Sequence, residues 1–194
     1  MLVIDTPMDR EEINKILDKH LSENEGYLQA LDVARKNSSG KIWLIGSGVY
    51  KTLLNLLYEQ NHTVKDWDFI ADKVFFPLEL TDGWTAEKTK HGNPKLIKDD
   101  FVIDLVDLNN VHSIKERNLG PEIGHFLSGT PLTIQSVAFD IEEKVVLGEA
   151  GIGSILTKTV GVNNRMEYDY AVSIYGDKHS VSRYAEMFGF AALD

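Results

Sequence analysis

The chain has 194 residues, 43% of them hydrophobic and 26% charged, which suits a globular protein with room for a substantial core. It has no cysteine, which excludes disulfides and thiolate metal sites, and no apolar run approaches the length of a membrane span. A formal net charge of −10 argues against a broad basic surface for long nucleic acid, leaving a local basic patch for an RNA end or a nucleotide.

In chain order, Met1-Leu2-Val3-Ile4-Asp5 lacks a basic, signal-like start, which with the missing cysteines points to the cytoplasm. Thr6-Pro7 before an acidic turn reads as a helix start, and Ile13, Ile16, Leu17 and Leu21 follow at helical spacing. A second helix covers Tyr27 to Arg35 and stops at Asn37-Ser38-Ser39-Gly40. Ile42 to Ile45 is a short continuous apolar run, the pattern of a strand buried on both faces. Gly46-Ser47-Gly48 comes next, and Val49, Leu53, Leu54 and Leu57 mark the buried stripe of a helix ending near Gln60-Asn61. Lys65 to Ala71 reads as a second strand. Its alternation puts Asp66, Asp68 and Ile70 on one face, with Trp67 and Phe69 on the other.

Pro77 to Gly92 reads as a loop plus a short helix. Lys95-Leu96-Ile97, a turn at Lys98-Asp99-Asp100 and Phe101 to Leu108 read as a hairpin. In its second strand Asp104 shares a face with Val102 and Val106, while Asp107 falls opposite with Ile103 and Leu105. Ile114 to Leu127 reads as helix, broken near Gly120-Pro121. Thr133 to Phe139 is an apolar segment leading to a turn over Asp140 to Lys144 and then Val145-Val146-Leu147. Helical spacing returns from Asp177 to Phe190, with Val181, Tyr184, Met187 and Phe188 apolar. There is no internal repeat, low-complexity tract or linker. The fold class is α+β, a small mixed β-sheet flanked by helices.

The chemistry concentrates between Lys41 and Asp104. A glycine-serine turn at a helix start exposes main-chain N–H groups where the helix dipole favours anions, a suitable seat for a triphosphate. Asp66-x-Asp68 and Asp104 bring oxygen ligands of the kind hard divalent cations prefer, and such ions neutralise phosphate charge and activate an attacking hydroxyl. Taken singly, Gly46-Ser47 is an ordinary strand-to-helix turn and Asp104 a charge that blunts a sheet edge. Together they favour a paired-carboxylate Mg²⁺ site. The six histidines show no zinc spacing and are assigned to no metal; His91-Gly92 is as well read as a loop as a lining of the site.

These residues resemble the head domain of the poly(A) polymerase and tRNA CCA-adding family, within the DNA polymerase beta-like nucleotidyltransferase superfamily. That family's strand, Gly-Gly-x-Val-Arg-Asp, Leu-rich helix and Asp-x-Asp correspond to Leu44-Ile45-Gly46-Ser47-Gly48-Val49-Tyr50-Lys51 and Asp66-Trp67-Asp68-Phe69. Lys90-His91-Gly92 resembles the loop before the third acidic strand, and Asp104 in Phe101-Val102-Ile103-Asp104-Leu105 stands at the third carboxylate. Leu132-Thr133-Ile134-Gln135-Ser136-Val137-Ala138-Phe139-Asp140 is similar to the family's Phe-Thr-Ile-Asn-Ala-Met-Ala-Tyr-Asp, and Gly151 to Val162 and Asp177 to Phe190 resemble the passage into a helical neck. Tyr50-Lys51 stands where the family has Arg-Asp, and Gly129-Thr130-Pro131 where it has Arg-Arg-Asp.

The resemblance implies residues 1–40 as N-terminal helices packed on the head, 41–160 as a nucleotidyltransferase head and 161–194 as a short helical neck, forming one compact unit. It implies an enzyme moving a nucleoside monophosphate from an NTP to an acceptor hydroxyl, such as an RNA 3′ end, with release of pyrophosphate. Asp66, Asp68 and Asp104 would bind two Mg²⁺ ions and carry catalysis. Gly46, Ser47, Gly48 and Lys51 would hold the nucleotide, with Arg183 and Lys178 reaching it from the neck or lying on the surface. A protein partner would supply the wider RNA-binding surface. The alternatives are a module that binds a nucleotide or RNA end without turnover, and a transferase acting on a small molecule or a protein.

Overall fold

The computed structural model describes residues 8–81 and 83–193; the helix start expected at Thr6-Pro7 lies outside the described residues. Two helices open the fold. The first, α1 (Arg10–Ser22), is capped by the Asp9 carboxylate, which accepts from the Glu12 N–H at 2.9 Å. The second, α2 (Glu25–Lys36), is capped by Asn24 accepting from the Tyr27 N–H at 2.8 Å. Each cap satisfies a donor that the first helical turn leaves free.

Strand β1 (Ser38–Ile45) passes through Gly46 into α3 (Ser47–Tyr58), and β2 (Asp66–Val74) follows. Next come β3 (Thr85–Lys88), the hairpin of β4 (Pro94–Lys98) and β5 (Phe101–Asp107), and the short helices α4 (His112–Glu116) and α5 (Ile123–Leu127). A second hairpin, β6 (Ala138–Asp140) and β7 (Val145–Leu147), leads to α6 (Glu149–Thr157). The chain ends with β8 (Thr159–Val160), α7 (Arg165–Tyr175), α8 (Val181–Phe188) and β9 (Ala191–Ala192), the last pairing with β8. Among the described residues no helix is long and apolar enough to cross a membrane.

The first seven strands form one mixed sheet in the order β3-β4-β5-β2-β1-β6-β7. Neighbours run antiparallel except β2 and β5, which run parallel. One sheet face buries Leu44, Trp67, Phe69, Ile103 and Leu105 against Ile13, Leu17 and Leu21 of α1, Tyr27 and Leu31 of α2 and Leu53 of α3. The other face carries a smaller cluster in which Trp43, Ile45 and Ile70 meet Leu108, Val111, Ile114 and Leu127. The α+β architecture of helices around a small mixed sheet is therefore present.

Three segments differ from the sequence expectation. Ser38-Ser39-Gly40 belongs to β1 rather than to a helix-ending loop: Ser38 and Ser39 pair with Val74 and Lys73, and the register shifts before Ile42. Gly40 takes a φ of +77° there, and the Asp72 carboxylate fills the space its missing Cβ leaves and accepts from the Lys41 N–H at 2.8 Å. This polar triplet is a bulged strand end. Between Pro77 and Gly92 the described residues hold no helix but the edge strand β3, exposed on both faces and so without an amphipathic signature. Helix α7 falls within the stretch expected as a helical neck, but residue pattern does not give its bounds: its apolar residues are interleaved with Glu167, Asp169 and three tyrosines, and the readable signal is Asn164, whose side chain accepts from the Glu167 N–H at 3.2 Å.

Phe69 is fully buried at the centre of β2, so Phe69→Ala should lower stability by about 3–5 kcal/mol. Glu87→Ala on the exposed edge strand should change it by less than about 0.5 kcal/mol. Urea denaturation followed by circular dichroism measures both; equal effects would contradict the core assignment.

Candidate active site

Strand pairing builds the site. Ile45 at the end of β1 lies opposite Asp68, and in the parallel β2–β5 pair Asp68 lies opposite Asp104 and Asp66 opposite Val102. Alternation then puts all three acids on the sheet face that also carries Ile70 and Val106. Trp67, Phe69, Ile103 and Leu105 point the other way into the main core, which holds this alternation in place.

Gly46 brings the β1–α3 turn against the acids. It adopts a φ of +62°, and a Cβ there would stand 3.0 Å from Asp68 Oδ2. Glycine meets both demands, having no Cβ and no penalty at positive φ. Ser47 opens α3 without a side-chain cap from Gly46, and the N–H groups of Val49 and Tyr50 bond to the Gly46 carbonyl at 3.1 and 3.2 Å. The N–H groups of Ser47 and Gly48 precede these and have no acceptor within the helix. Gly48 itself is a packing residue: a Cβ there would meet Leu44 and Trp67 at 3.1 and 3.2 Å, so only its main chain is available to the site.

The acids form an unbalanced negative cluster. Burial, then Asp104, then Asp66 push the Asp68 carboxyl up to about 7, against a smaller opposing pull from Lys95 and Lys51. Asp104 is also raised, chiefly by burial, with Lys95 opposing. Its Oδ2 is 3.9 Å from Lys95 Nζ, while its Oδ1 is buried with no hydrogen-bond partner among the described residues. Asp66 is exposed at the rim of a cleft of about 760 Å³ that also includes Lys65, Lys98 and Phe101. An orphaned carboxylate oxygen, a proton-retaining neighbour and an all-oxygen donor set fit a hard divalent cation. Among the described residues no three acidic or imidazole side chains already stand in the tight grouping that a bound ion would impose.

The remaining expected residues are placed as follows. Lys51, one turn beyond Ser47, donates to the Thr63 carbonyl at 3.2 Å and favours the charged form of Asp68. Arg183 lies exposed on α8, paired with Glu186 at 2.7 Å; it lines a cleft with Lys178 and is not joined to the carboxylates. Asp107 accepts from the N–H groups of Val74 and Asn109, both at 2.9 Å, a structural use on the face away from Asp104. Tyr50 is buried beside Phe188 and the Tyr184 hydroxyl. No motif marks Lys95, although counting back from the Asp99-Asp100 turn pairs Lys98 with Phe101 and so Lys95 with Asp104. Asp140, expected at the start of a turn, accepts there from the N–H groups of Glu142 and Glu143, and it is also buried, accepting from Trp43 Nε1 at 3.1 Å.

No family model matches the sequence, and no curated protein matches it. Solved structures do. The CCA-adding enzyme of Bacillus stearothermophilus in complex with CTP superimposes with a TM-score of 0.56 at 14% identity, over 88% of this chain and 41% of that one. A tRNA nucleotidyltransferase complexed with a primer tRNA and an incoming ATP analog gives 0.54 at 14% identity, over 79% and 43%. A tRNA-processing enzyme with CTP gives 0.51 at 13% identity, over 79% and 40%. The chain thus has the fold of a nucleotidyltransferase head domain. It is the head-domain fold of the CCA-adding enzymes in particular, and it spans less than half the length of those structures.

The raised Asp68 carboxyl has a consequence for stability. Between about pH 4 and 7 the folded chain holds a proton that the unfolded chain has lost, so stability falls as pH rises through that window. Asp68→Asn should remove much of this slope and raise the metal-free melting temperature at pH 7.5 by roughly a few degrees. Thermal melts of both proteins from pH 4.5 to 8 are the check; parallel curves would show that Asp68 carries no such strain.

Proposed function

We propose that the chain is a metal-dependent nucleotidyltransferase that moves a nucleoside monophosphate from an NTP to an acceptor hydroxyl and releases pyrophosphate. The observation that carries this reading is the placement of Asp68 opposite Asp104 and against the Gly46 turn that opens α3. A half-buried carboxylate pair at a helix start is poor at stability and well suited to a phosphate-bearing substrate that arrives with cations. The known folds that resemble it include complexes with CTP, an ATP analog and a primer tRNA, which supports an NTP as donor and an RNA 3′ end as acceptor.

In this reading Asp66, Asp68 and Asp104 would hold two Mg²⁺ ions, which would supply charge neutralisation of the triphosphate and lower the pKa of the attacking hydroxyl. The N–H groups of Ser47 and Gly48, the Ser47 hydroxyl and Lys51 orient the β- and γ-phosphates. The acceptor oxygen forms a bond to the α-phosphorus as the bond to the bridging oxygen of pyrophosphate breaks, and Asp104 Oδ1 takes the hydroxyl proton. Burial raises its proton affinity above that of a free carboxylate, which suits that step. Catalysis is then mostly alignment and electrostatics. Lys65, Lys98 and Phe101 beside Asp66 offer two ammonium groups and a ring to an acceptor strand. With a net charge of −10, further RNA surface comes from a protein partner, and the site of action is the cytoplasm.

A second reading, binding without turnover, is favoured by Tyr50. The residue at the family's Arg position is buried against Phe188 and so unable to reach a phosphate. One assay separates the two. The protein is incubated with each labelled NTP, Mg²⁺ and a pool of short RNAs. Transfer should appear, vanish with EDTA, and fall at least about a thousandfold in Asp68→Ala while circular dichroism stays native. Wild-type activity in Asp68→Ala would overturn the assignment, and nucleotide binding without product would favour the second reading.

A further inference from the structure

The acidic face of the sheet carries a cation of its own. Across three adjacent strands, Lys95 of β4 lies opposite Asp104 of β5, and Asp104 lies opposite Asp68 of β2. Residues paired directly across strands share a face, so Lys95 stands in one row with the two acids. Its neighbour Leu96 pairs with Ile103, and both are fully buried on the other face, which keeps the Lys95 side chain from turning away. Lys95 Nζ is 3.9 Å from Asp104 Oδ2, while Asp104 Oδ1 is buried with no partner among the described residues. The ammonium thus serves one side of this carboxylate and leaves the other side open.

Lys51 lies on the opposite flank, one turn into α3 beyond Gly46. Both ammonium groups oppose the rise that burial and the neighbouring acids impose on the Asp68 carboxyl. Three carboxylates against two ammonium groups leave the cluster with one net negative charge. A doubly charged ion entering alone would overshoot that charge, and a second ion would do so further. A triphosphate, a multiply charged anion, would restore the balance.

We propose that Lys95 is a fixed counter-cation that weakens the hold of the carboxylates on a free divalent ion, so that metal is retained only together with a triphosphate. This rests on the reading of Asp66, Asp68 and Asp104 as metal ligands. Even at the dielectric of bulk water, an ammonium about 6 Å from a doubly charged ion disfavours it about tenfold, and partial burial of the cluster enlarges the effect. Lys95 acts through Asp104 and is a positioning residue in this scheme. Methionine in its place keeps an unbranched apolar stem and removes the charge.

The test titrates Mn²⁺ into the full chain at low ionic strength and counts the free ion by electron paramagnetic resonance. Without nucleotide, Lys95→Met should bind Mn²⁺ at least about tenfold more tightly than wild type. Lys95→Arg, which keeps the charge, should stay close to wild type. So should Lys73→Met, which loses the same charge at the exposed far end of β2. At the Mn²⁺ concentration that half-saturates Lys95→Met, the ion alone should raise the melting temperature of that variant. Wild type should need Mn²⁺ together with a non-cleavable NTP analogue for the same rise. Lys95→Gln gives the same reading if Lys95→Met loses its native circular dichroism. Equal Mn²⁺ affinity in wild type and the folded variant, or an equal gain in Lys73→Met, would overturn the proposal. Adding Asp68→Ala to Lys95→Met separates this inference from the transfer reading. Binding that needs Asp68 but ignores Lys95 would sink the role of Lys95 alone. Binding that ignores Asp68, or that is absent from every variant, would sink both.

Discussion

Strands β2 and β5 run parallel inside a sheet whose other neighbours are antiparallel, and that pairing decides where the charge goes. In its register Asp68 meets Asp104 on one face while Trp67, Phe69, Ile103 and Leu105 are buried on the other. A slip of one residue in β5 would turn Asp104 into the main core and Ile103 out of it. Burying each of those four side chains contributes about 1.5–3 kcal/mol. Two carboxylates about 5 Å apart at an effective dielectric of about 20 repel by about 3 kcal/mol. The apolar face therefore wins, and the acids are held together by residues that never touch them.

The repulsion that remains is expressed in protonation rather than in geometry. Asp68 keeps its proton to about 7, and one oxygen of Asp104 has no partner among the described residues. Lys95, its cross-strand partner, offsets part of the charge without closing a short ion pair with Asp104. A triphosphate approaching such a cluster is repelled unless positive charge comes with it. The start of α3 and the Lys51 ammonium offer some of that charge on the Gly46 side, where the turn lies against Asp68. The arrangement is unfavourable when empty and becomes favourable as anion and cations enter together, the order of energies expected for a site kept for chemistry rather than for stability.

Much of this was readable from residue pattern. Alternation in Asp66-Trp67-Asp68-Phe69 correctly divides the strand between an acidic face and a buried one, and the Asp99-Asp100 turn correctly defines the hairpin. What the pattern lacked was everything decided by exposure or by distant pairing. Edge strand β3 faces solvent on both sides, so no periodicity marks it. The Ser38-Ser39-Gly40 segment looks like a loop because its strand character depends on Asp72, far along the chain, filling the space at Gly40. Helix α7 mixes buried and exposed aromatics, and the cavity it walls brings Lys90 and His91, His112 and Glu167 together from three separate segments.

Helix α8 matters to the site through helix α3. This helix is held at its start by the close approach of Gly46 to Asp68, and one turn on by Tyr50, whose ring meets Phe188 edge-on at 5.8 Å. The Tyr184 hydroxyl faces Tyr50 and accepts from Gln135 Nε2 at 3.0 Å, tying α8 to the segment that leads into β6. In the resembling family this position carries arginine, a residue suited to bind phosphate. Here it carries a ring suited to bury against a helix. Tyr50 makes its contact within the fold, so α8 bears on the position of the α3 start and on the N–H groups presented there. The Tyr50–Phe188 contact thus links the C-terminal helix to the turn that lies against Asp68.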